Sequence, residues 1–203
     1  MNIEVQSILK LMNLAERLKS EMRHSWLSSG RRESVAEHSW QMALLALLVN
    51  KHLENPVDIE HTLKMIIVHD LVEAEAGDIP FFETGPRKEQ KAKCEQKAIG
   101  NIRDMIDKHT GQEFYDLFQE FEAVKSPEAK LAKALDNLEV QIQHNNADFS
   151  TWEEIEYDLV YTKMDKPCEH DSFLRALCDG VKKQSEVKMM KNGIDPETIK
   201  QQI

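Results

Sequence analysis

Apolar residues recur every three to four positions along most of the chain, which is the spacing of one face of an amphipathic helix. The first stretch places Ile8, Leu11, Met12 and Ala15 on a single stripe. Alternation with a period of two does not persist, which argues against a sheet. The periodicity predicts helices over residues 3–17, 34–53, 58–76, 88–109, 113–124, 126–145, 150–163 and 169–190. We therefore expect an all-α fold, a bundle of many helices.

Local signals mark the ends of several predicted helices. Ser34 and Glu37 have the spacing of a capping box, in which a serine caps the helix and a glutamate three residues later reaches back. Ser150 and Glu153 repeat that spacing near the C-terminus. Further boundaries are predicted at the N-caps Asp58 and Ser126 and at the helix-ending glycines Gly77 and Gly111.

The chain reads as one domain. Its 203 residues suit a single domain and bury a sizeable core without disulfides. No stretch is rich enough in Gly, Pro or Ser to act as a linker between domains. We expect one domain over residues 1–203, with a core motif region at about 20–145 and a C-terminal helical extension at about 150–203.

Composition narrows the classes of function. A net charge of −10 argues against non-specific binding to nucleic acid, which needs a basic face. The longest apolar run, 42–49, is too short to span a membrane, and the chain begins with an amphipathic pattern rather than an apolar leader. The cysteines, Cys94, Cys168 and Cys178, form no CxxC pair, so a reducing, cytoplasmic setting is expected.

A histidine and an aspartate interrupt a strongly apolar stretch. His69 and Asp70 lie within residues 65–73, where ionisable groups are costly to bury unless something pairs with them. A divalent metal would do so, and two further ligand types lie on other predicted helices, at His38 and Asp136. Taken alone, His38 reads as an ordinary core or surface histidine and Asp136 as a solvated helix position. The four together predict a metal site.

The donor set indicates the kind of metal. Two imidazoles with two carboxylates suit Mn, Fe, Co, Ni or Zn better than Ca, with Mg as a further candidate. Four protein ligands leave coordination positions open for water and substrate, which is typical of a catalytic site rather than a structural one. We therefore expect one divalent metal as the cofactor.

Four segments carry a resemblance to a known family: Arg23-His24-Ser25-Trp26, Glu33-Ser34-Val35-Ala36-Glu37-His38, His69-Asp70-Leu71-Val72-Glu73 followed by Gly77-Asp78-Ile79, and the charged stretch 88–98. They resemble the motifs of the HD-domain superfamily of metal-dependent phosphohydrolases, and within it the small all-helical 5′-deoxynucleotidases. The likeness covers about residues 5–145. It implies that His38, His69, Asp70 and Asp136 ligate one divalent ion.

The resemblance also implies roles around the metal. Glu73 and Asp78 would line the reacting phosphate and either orient the attacking water or protonate the departing oxygen. Arg23 would contact the phosphate, since its guanidinium matches phosphate oxygens. Trp26 would stand close to the sugar and disfavour a 2′-hydroxyl. The simpler alternatives are a core role for Trp26, a loop cap for Asp78 and a surface position for Glu73.

The sequence departs from the family pattern at the substrate side. Met22 replaces a common proline, His24 and Ser25 replace a Thr-Gly-like pair, and the loop after Asp78 carries unusual aromatic residues at 81 and 82. These departures bear on substrate choice more than on the metal.

The expected function is metal-dependent hydrolysis of (deoxy)nucleoside 5′-monophosphates to nucleoside and phosphate by metal-activated water, so the chain is expected to be a phosphoric monoester hydrolase. The alternatives are another HD phosphohydrolase, such as a phosphodiesterase or guanosine-tetraphosphate hydrolase, and a non-catalytic module that senses a nucleotide or metal. The resemblance also implies a homodimer. No nucleic acid or membrane partner is expected.

Overall fold

The computed structural model of the chain describes residues 2–203. Helices dominate it, so the expected all-α fold is confirmed. The helices are α1 (Ile3–Ala15), α2 (Val35–Val49), α3 (Ile59–His69), α4 (Glu73–Ala76), α5 (Pro86–Met105), α6 (Lys108–Ala123), α7 (Pro127–Asn146), α8 (Glu154–Thr162), α9 (Asp165–Cys168), α10 (Ser172–Lys191) and α11 (Pro196–Lys200). Two strands, β1 (Met22–Trp26) and β2 (Arg32–Ser34), and 3-10 turns at Glu16–Lys19, Asn50–His52 and Phe149–Thr151 complete the described elements.

Helix α7 lies at the centre of the fold, where it packs against α2, α3, α6, α9 and α10. Its buried face combines small and large residues, among them Ala132, Leu135 and Leu138. The alanines let neighbouring helices approach closely, and the leucines fill the space between them. One hydrophobic cluster runs from Leu14 in α1 to Val181 in α10, so the described residues form a single domain.

The helix predicted over residues 58–76 is interrupted in its second half. Helix α3 ends at His69, Asp70 follows as its C-cap with φ −96° and ψ 2°, and a new turn, α4, begins at Glu73. The prediction of one continuous helix is therefore wrong, because apolar periodicity continues through the break. This turn of the backbone brings the neighbouring side chains of His69 and Asp70 toward the same point.

A short antiparallel hairpin, β1–β2, precedes α2 and was not predicted from the sequence. Its strands are too short to establish a period of two, and Gly30, with φ +82°, lies in the turn between them. The Arg32 side chain bonds the carbonyl oxygens of Met22 and Arg23. Gln143 of α7 donates to the carbonyl of Trp26 at 2.6 Å. These bonds fix β1 against the central helix.

Gly111 does not end a helix, contrary to its sequence prediction. Helix α5 ends at Met105, and Asp107 caps the start of α6 by accepting from the N–H groups of the next residues. Gly111 lies buried inside α6, where the backbone of Arg103 in α5 passes against it. A methyl group at this position would overlap the carbonyl oxygen of Arg103. The glycine is required by close helix packing rather than by a turn.

The C-terminal boundaries also differ from the prediction. The capping box that starts α8 is formed by Glu153 and Glu156, not by Ser150 and Glu153. The Ser150 hydroxyl instead bonds the side chain of Asp148 in the preceding turn. The last long helix, α10, begins at Ser172 after the cap Asp171 rather than at residue 169. The i,i+3 spacing of a capping box recurs by chance where polar residues are dense.

Two expectations from composition can be compared with the structure. Among residues 2–203, no helix combines the length and the apolar character that crossing a bilayer requires. All three cysteines are free thiols, with Cys94 exposed and Cys168 and Cys178 buried. The described chain therefore contains no disulfide.

Candidate active site

A cavity of about 470 Å³ opens between the hairpin, the α3–α4 junction and helices α5, α6, α7 and α8. Its volume falls in the range of small-molecule sites. Apolar side chains such as Ile79, Phe82, Phe118 and Phe121 form part of the wall. Ionisable side chains from several elements converge on the remainder, so the cavity is the candidate active site.

Four of the predicted residues gather at one side of this cavity. His38 comes from α2, His69 ends α3 and Asp136 lies on α7, and their ligand atoms all lie within 4.8 Å of one another. Asp70 Oδ2 lies 3.1 Å from His69 Nε2 and 3.7 Å from His38 Nε2. Asp136 Oδ1 lies 3.4 Å from His38 Nε2. The structure thus brings the four predicted ligands together.

The two imidazoles are oriented as metal ligands. His69 Nδ1 bonds the carbonyl oxygen of Ile66 at 2.7 Å, and His38 Nδ1 contacts the carboxylate of Glu139. With Nδ1 carrying the proton, each Nε2 presents a lone pair. Both Nε2 atoms are buried and lack a hydrogen-bond partner of acceptable geometry. Unpaired nitrogens beside two carboxylates fit a divalent cation.

Sequence reasoning missed Glu139, which supports His38 from behind. Glu139 is fully buried and lies one helical turn beyond Asp136 on α7. A carboxylate that holds the second nitrogen of a ligating histidine fixes its tautomer and raises its basicity. The i,i+3 spacing of two acids on a helix flanked by buried leucines was the available signal. Glu33 also belongs to this buried group. Its burial, and to a smaller extent the charge of Glu139, raises the pKa of Glu33 to about 7.

Arg23 on β1 reaches the same place. Its Nη1 lies 3.4 Å from Asp70 Oδ2, and its Nε lies 3.6 Å from Glu33 Oε2. The neighbouring Arg31 pairs instead with Glu37 at 2.6 Å, on the outer surface. Unlike Arg31, Arg23 therefore lies beside the candidate metal ligands, where it is placed to contact a molecule bound in the cavity.

The two predicted catalytic acids line the cavity. Glu73 is buried, and its Oε2 has no hydrogen-bond partner, while Lys91 Nζ lies 3.9 Å from its Oε1. Burial, and then the charges of Asp70 and Asp78, raise the pKa of Glu73 to about 9. Asp78 also lines the cavity, and its backbone N–H donates to Glu21 Oε1 at 2.9 Å. The surface alternative for Glu73 does not hold.

Trp26 is not among the residues that line the cavity. Its ring meets the His24 ring edge-on, with centroids 4.8 Å apart, and Arg32 lies over it at 5.8 Å. His24 is the aromatic residue of this segment that faces the cavity. Trp26 thus contacts His24 rather than the cavity, and its role beside a sugar stays a prediction.

Comparison with known proteins agrees with this geometry. Residues 15–173 match the family model described as HD domain. The chain belongs to the HD-domain family. The match spans every element that supplies a candidate ligand, from the hairpin to α7, and it extends into the start of α10.

Curated relatives of this HD-domain protein carry names that state an activity. The chain is 36% identical over 141 residues to a protein from Danio rerio named 5′-deoxynucleotidase HDDC2, covering 68% of each chain. It is 33% identical over 143 residues to a Schizosaccharomyces pombe protein named 5′-deoxynucleotidase hdd1, covering 68% of this chain and 70% of the relative.

A solved structure resembles the HD-domain fold over nearly its full length. A protein from Magnetospirillum magnetotacticum, described as a predicted metal-dependent phosphohydrolase, superposes with a TM-score of 0.80 and 25% identity. The alignment covers 95% of this chain and 96% of the other. The description of this neighbour as metal-dependent agrees with the divalent metal that the HD domain implies.

Positive side chains surround the cavity of this acidic HD domain: Arg23, Lys88, Lys91, Lys133 and Lys163. Lys133 Nζ lies 3.0 Å from Asp136 Oδ2. Burial, and then the charge of Lys133, lower the pKa of Lys163 to about 8. A cleft lined by cations in a protein of net charge −10 concentrates a small anion. Sequence reasoning singled out the charged stretch 88–98, which contains Lys88 and Lys91, but gave these lysines no role at the site, and it missed Lys133 and Lys163.

Replacing Glu139 should weaken metal binding without touching a ligand. Glu139→Ala removes the acceptor behind His38, and we expect metal affinity to fall about 10–100-fold. Glu139→Gln keeps a side-chain oxygen in the same place and should retain most of the affinity. Metal titration against a competing chelator measures both variants. Equal affinity in the alanine variant and the unmodified protein would contradict the role given to Glu139.

Proposed function

We propose that this HD-domain protein hydrolyses deoxynucleoside 5′-monophosphates to nucleoside and phosphate, using one divalent metal held by His38, His69, Asp70 and Asp136. The observation that carries the proposal is the pair of unpaired, buried Nε2 atoms of His38 and His69, which meet two carboxylates beside a cation-lined cavity. The names of the curated relatives support the nucleotide and the deoxy sugar.

The residues divide the work of hydrolysis. When bound, the metal supplies a Lewis acid for a phosphoryl oxygen and lowers the pKa of the attacking water. Arg23 binds a non-bridging phosphate oxygen, with Lys91 and Lys133 offsetting the remaining negative charge. The water oxygen forms the new bond to phosphorus as the bond to O5′ breaks.

Two acids move the protons. Asp78 orients the water and accepts its proton, while Glu73 donates a proton to the departing O5′. A raised pKa fits Glu73 for donation, since a carboxyl group with a pKa of about 9 keeps its proton at neutral pH. The unpaired Oε2 of Glu73 is the atom available for this transfer.

Phosphate release from a nucleotide panel tests the proposal. The protein is stripped with a chelator, reloaded singly with Mn, Co, Fe, Ni, Zn or Mg, and given deoxy- and ribonucleoside 5′-monophosphates. We expect release with at least one metal and faster release from the deoxy substrates. No release from a folded protein that holds metal contradicts the phosphatase proposal. Release only from phosphodiesters or guanosine tetraphosphate favours another HD phosphohydrolase, and binding without release favours a sensing module.

Replacing Arg23 should separate phosphate binding from metal binding. Arg23→Ala removes the guanidinium beside Asp70, and we expect kcat/KM to fall about 100-fold or more while metal content is unchanged. Arg23→Lys should recover only part of the loss, because one ammonium group cannot form a two-pronged contact. Arg31→Ala, on the outer surface, is the matched control. Loss of metal from Arg23→Ala would show that the arginine mainly orders Asp70.

We further propose that the protein acts as a homodimer in the cytoplasm. Trp40, Leu44, Leu47 and Leu48 form an exposed apolar stripe on α2, and Ile67 is exposed on α3, which packs against α2. Such a stripe is typical of a protein interface. Leu47→Glu should shift the mass measured by light scattering from dimer to monomer, whereas Val187→Glu, at an exposed apolar position on α10, should not. The three free thiols support a reducing compartment.

A further inference from the structure

A second polar cluster lies in the cavity wall and has no part in the metal chemistry. His24 and Ser25 of β1, His144 of α7 and Glu156 of α8 form it. Glu156 Oε1 lies 3.5 Å from His24 Nε2 and 3.6 Å from His144 Nδ1. Glu156, His144 and Ser25 are buried. We call these four residues the His24–Glu156 cluster.

Other atoms of these side chains meet the needs of the fold. Glu156 Oε2 accepts from the Glu153 N–H at 2.8 Å and completes the capping box of α8. His144 Nε2 bonds the carbonyl oxygen of His24 at 3.3 Å and lies 3.2 Å from the Ser25 hydroxyl. The ring nitrogen Nε2 of His24 is buried and has no partner. One carboxylate oxygen and one imidazole nitrogen therefore remain for a ligand.

An aromatic side chain borders the same cluster. Phe82, from the loop after Asp78, lines the cavity and meets the His24 ring edge-on with centroids 4.9 Å apart. Aromatic side chains offer a surface on which a planar heterocycle stacks, and that contact alone is tolerant of the base. The hydrogen-bonding atoms beside it supply the selectivity.

We propose that the His24–Glu156 cluster recognises the edge of a nucleobase that carries a ring N–H beside a carbonyl, as guanine, hypoxanthine, thymine and uracil do. This inference rests on the proposed function, since the phosphate of the same nucleotide lies at the metal ligands. An ionised carboxylate only accepts, so Glu156 Oε1 takes the ring N–H. His24 Nε2–H donates to the neighbouring carbonyl. In the same orientation, adenine and cytosine turn an unprotonated ring nitrogen toward Glu156 and an amino group toward His24 Nε2–H, so neither protein group finds a partner.

A base panel measured with wild-type protein tests the preference. Burial raises the pKa of Glu156 to about 7, so the assay is run at pH 8, where the carboxyl group is ionised. We expect kcat/KM for dGMP and dTMP to exceed that for dAMP and dCMP by about 10-fold or more, because a site built to bond an N–H rejects a base that lacks it. Calorimetric binding of dGMP and dAMP, without turnover, should give the same order.

A charge-neutral exchange at Glu156 sharpens the test. In Glu156→Gln the amide oxygen still accepts from Glu153 and keeps the capping box, while the amide N–H₂ group replaces the accepting Oε1. We expect the preference to move toward dAMP and dCMP. Glu154→Gln, an exposed position in the same turn, is the matched control and should leave the preference unchanged. His24→Phe keeps a ring beside Phe82 but loses the donor, so it should reduce the preference as well.

The outcomes separate this inference from the proposed function. Equal kcat/KM and equal affinity for the two base classes overturn the inference while leaving the phosphatase standing. Binding in the expected order without hydrolysis of any nucleotide contradicts the phosphatase but supports the base site. An unchanged preference in folded Glu156→Gln overturns the role of Glu156, and failure of every nucleotide to bind overturns both proposals.

Discussion

Asp70→Asn is expected to abolish metal binding and to lower kcat/KM by at least about 10³-fold, since the metal's contribution to the barrier is several kcal/mol. Asp70 Oδ2 has three nitrogen atoms within 3.7 Å, one each from His69, His38 and Arg23. Burial alone would raise the pKa of Asp70. The charges of His69, His38 and Arg23 nevertheless hold that pKa below its ordinary value. Asp70 is thus ionised and able to bind a cation.

Three measurements separate loss of metal from loss of fold. Elemental analysis should find no metal in the variant, and circular dichroism should find the helical content unchanged, because the Asp70 side chain lies at the cavity rather than in the core. Added metal should raise the melting temperature of the unmodified protein, as a ligand at 100 times its Kd stabilises by about 2.7 kcal/mol, but not that of the variant. Asp104→Asn, an exposed change on α5, should behave as the unmodified protein does. Full metal content in Asp70→Asn would remove Asp70 from the ligand set.

The four candidate ligands could be identified in the sequence because each lies in a recognisable local pattern. His38 follows a capping box, Asp136 follows a Ser-Pro helix start, and the His69-Asp70 pair interrupts an apolar stretch. Helix order alone then suggested that three elements supply one site. The convergence itself was an expectation from the resemblance, since nothing in the spacing of residues 38, 69 and 136 fixes how helices α2, α3 and α7 cross.

The parts of the site that were missed depend on tertiary packing. Glu139 acquires its role from burial against His38, 101 residues away in sequence. Glu156 lies in the region predicted to be a mere extension, yet α8 brings it to the same cavity as Asp70. No local pattern distinguishes such a glutamate from a solvated one. The same limit applies to Trp26, which is not among the residues lining the cavity although its neighbour His24 is.

Helix boundaries failed for two different reasons. Between His69 and Glu73 the apolar periodicity persists although the backbone leaves the helix, so the pattern carries no sign of the break. At Gly111 the residue type is informative, but glycine has two uses, a left-handed turn and a close approach of two backbones. Only the position of α5 against α6 decides between them.

Gly111→Ala should destabilise the protein strongly. That result would establish that Gly111 is required for the close approach of two backbones. The added methyl group would overlap the carbonyl oxygen of Arg103 and lie 3.0 Å from its carbonyl carbon, and backbone atoms cannot rotate away as a side chain can. Overpacking in a buried contact costs about 1–3 kcal/mol and occasionally more. We expect a loss near the upper end, about 3 kcal/mol in the free energy of unfolding. For a chain of this length that corresponds to a fall of about 6–12 °C in Tm.

Gly100→Ala on α5 is the matched control, because a methyl group there meets nothing within 4 Å. Alanine is favoured over glycine inside a helix by about 0.5–1 kcal/mol, so this variant should unfold at a slightly higher temperature. Opposite shifts from the same chemical change would show that contact, not helix propensity, sets the outcome at Gly111. Equal stabilisation of both variants would mean that α5 and α6 can separate without cost. Since α5 carries Lys88 and Lys91 and α6 carries Phe118 and Phe121, a forced separation should also lower kcat/KM by widening the cavity.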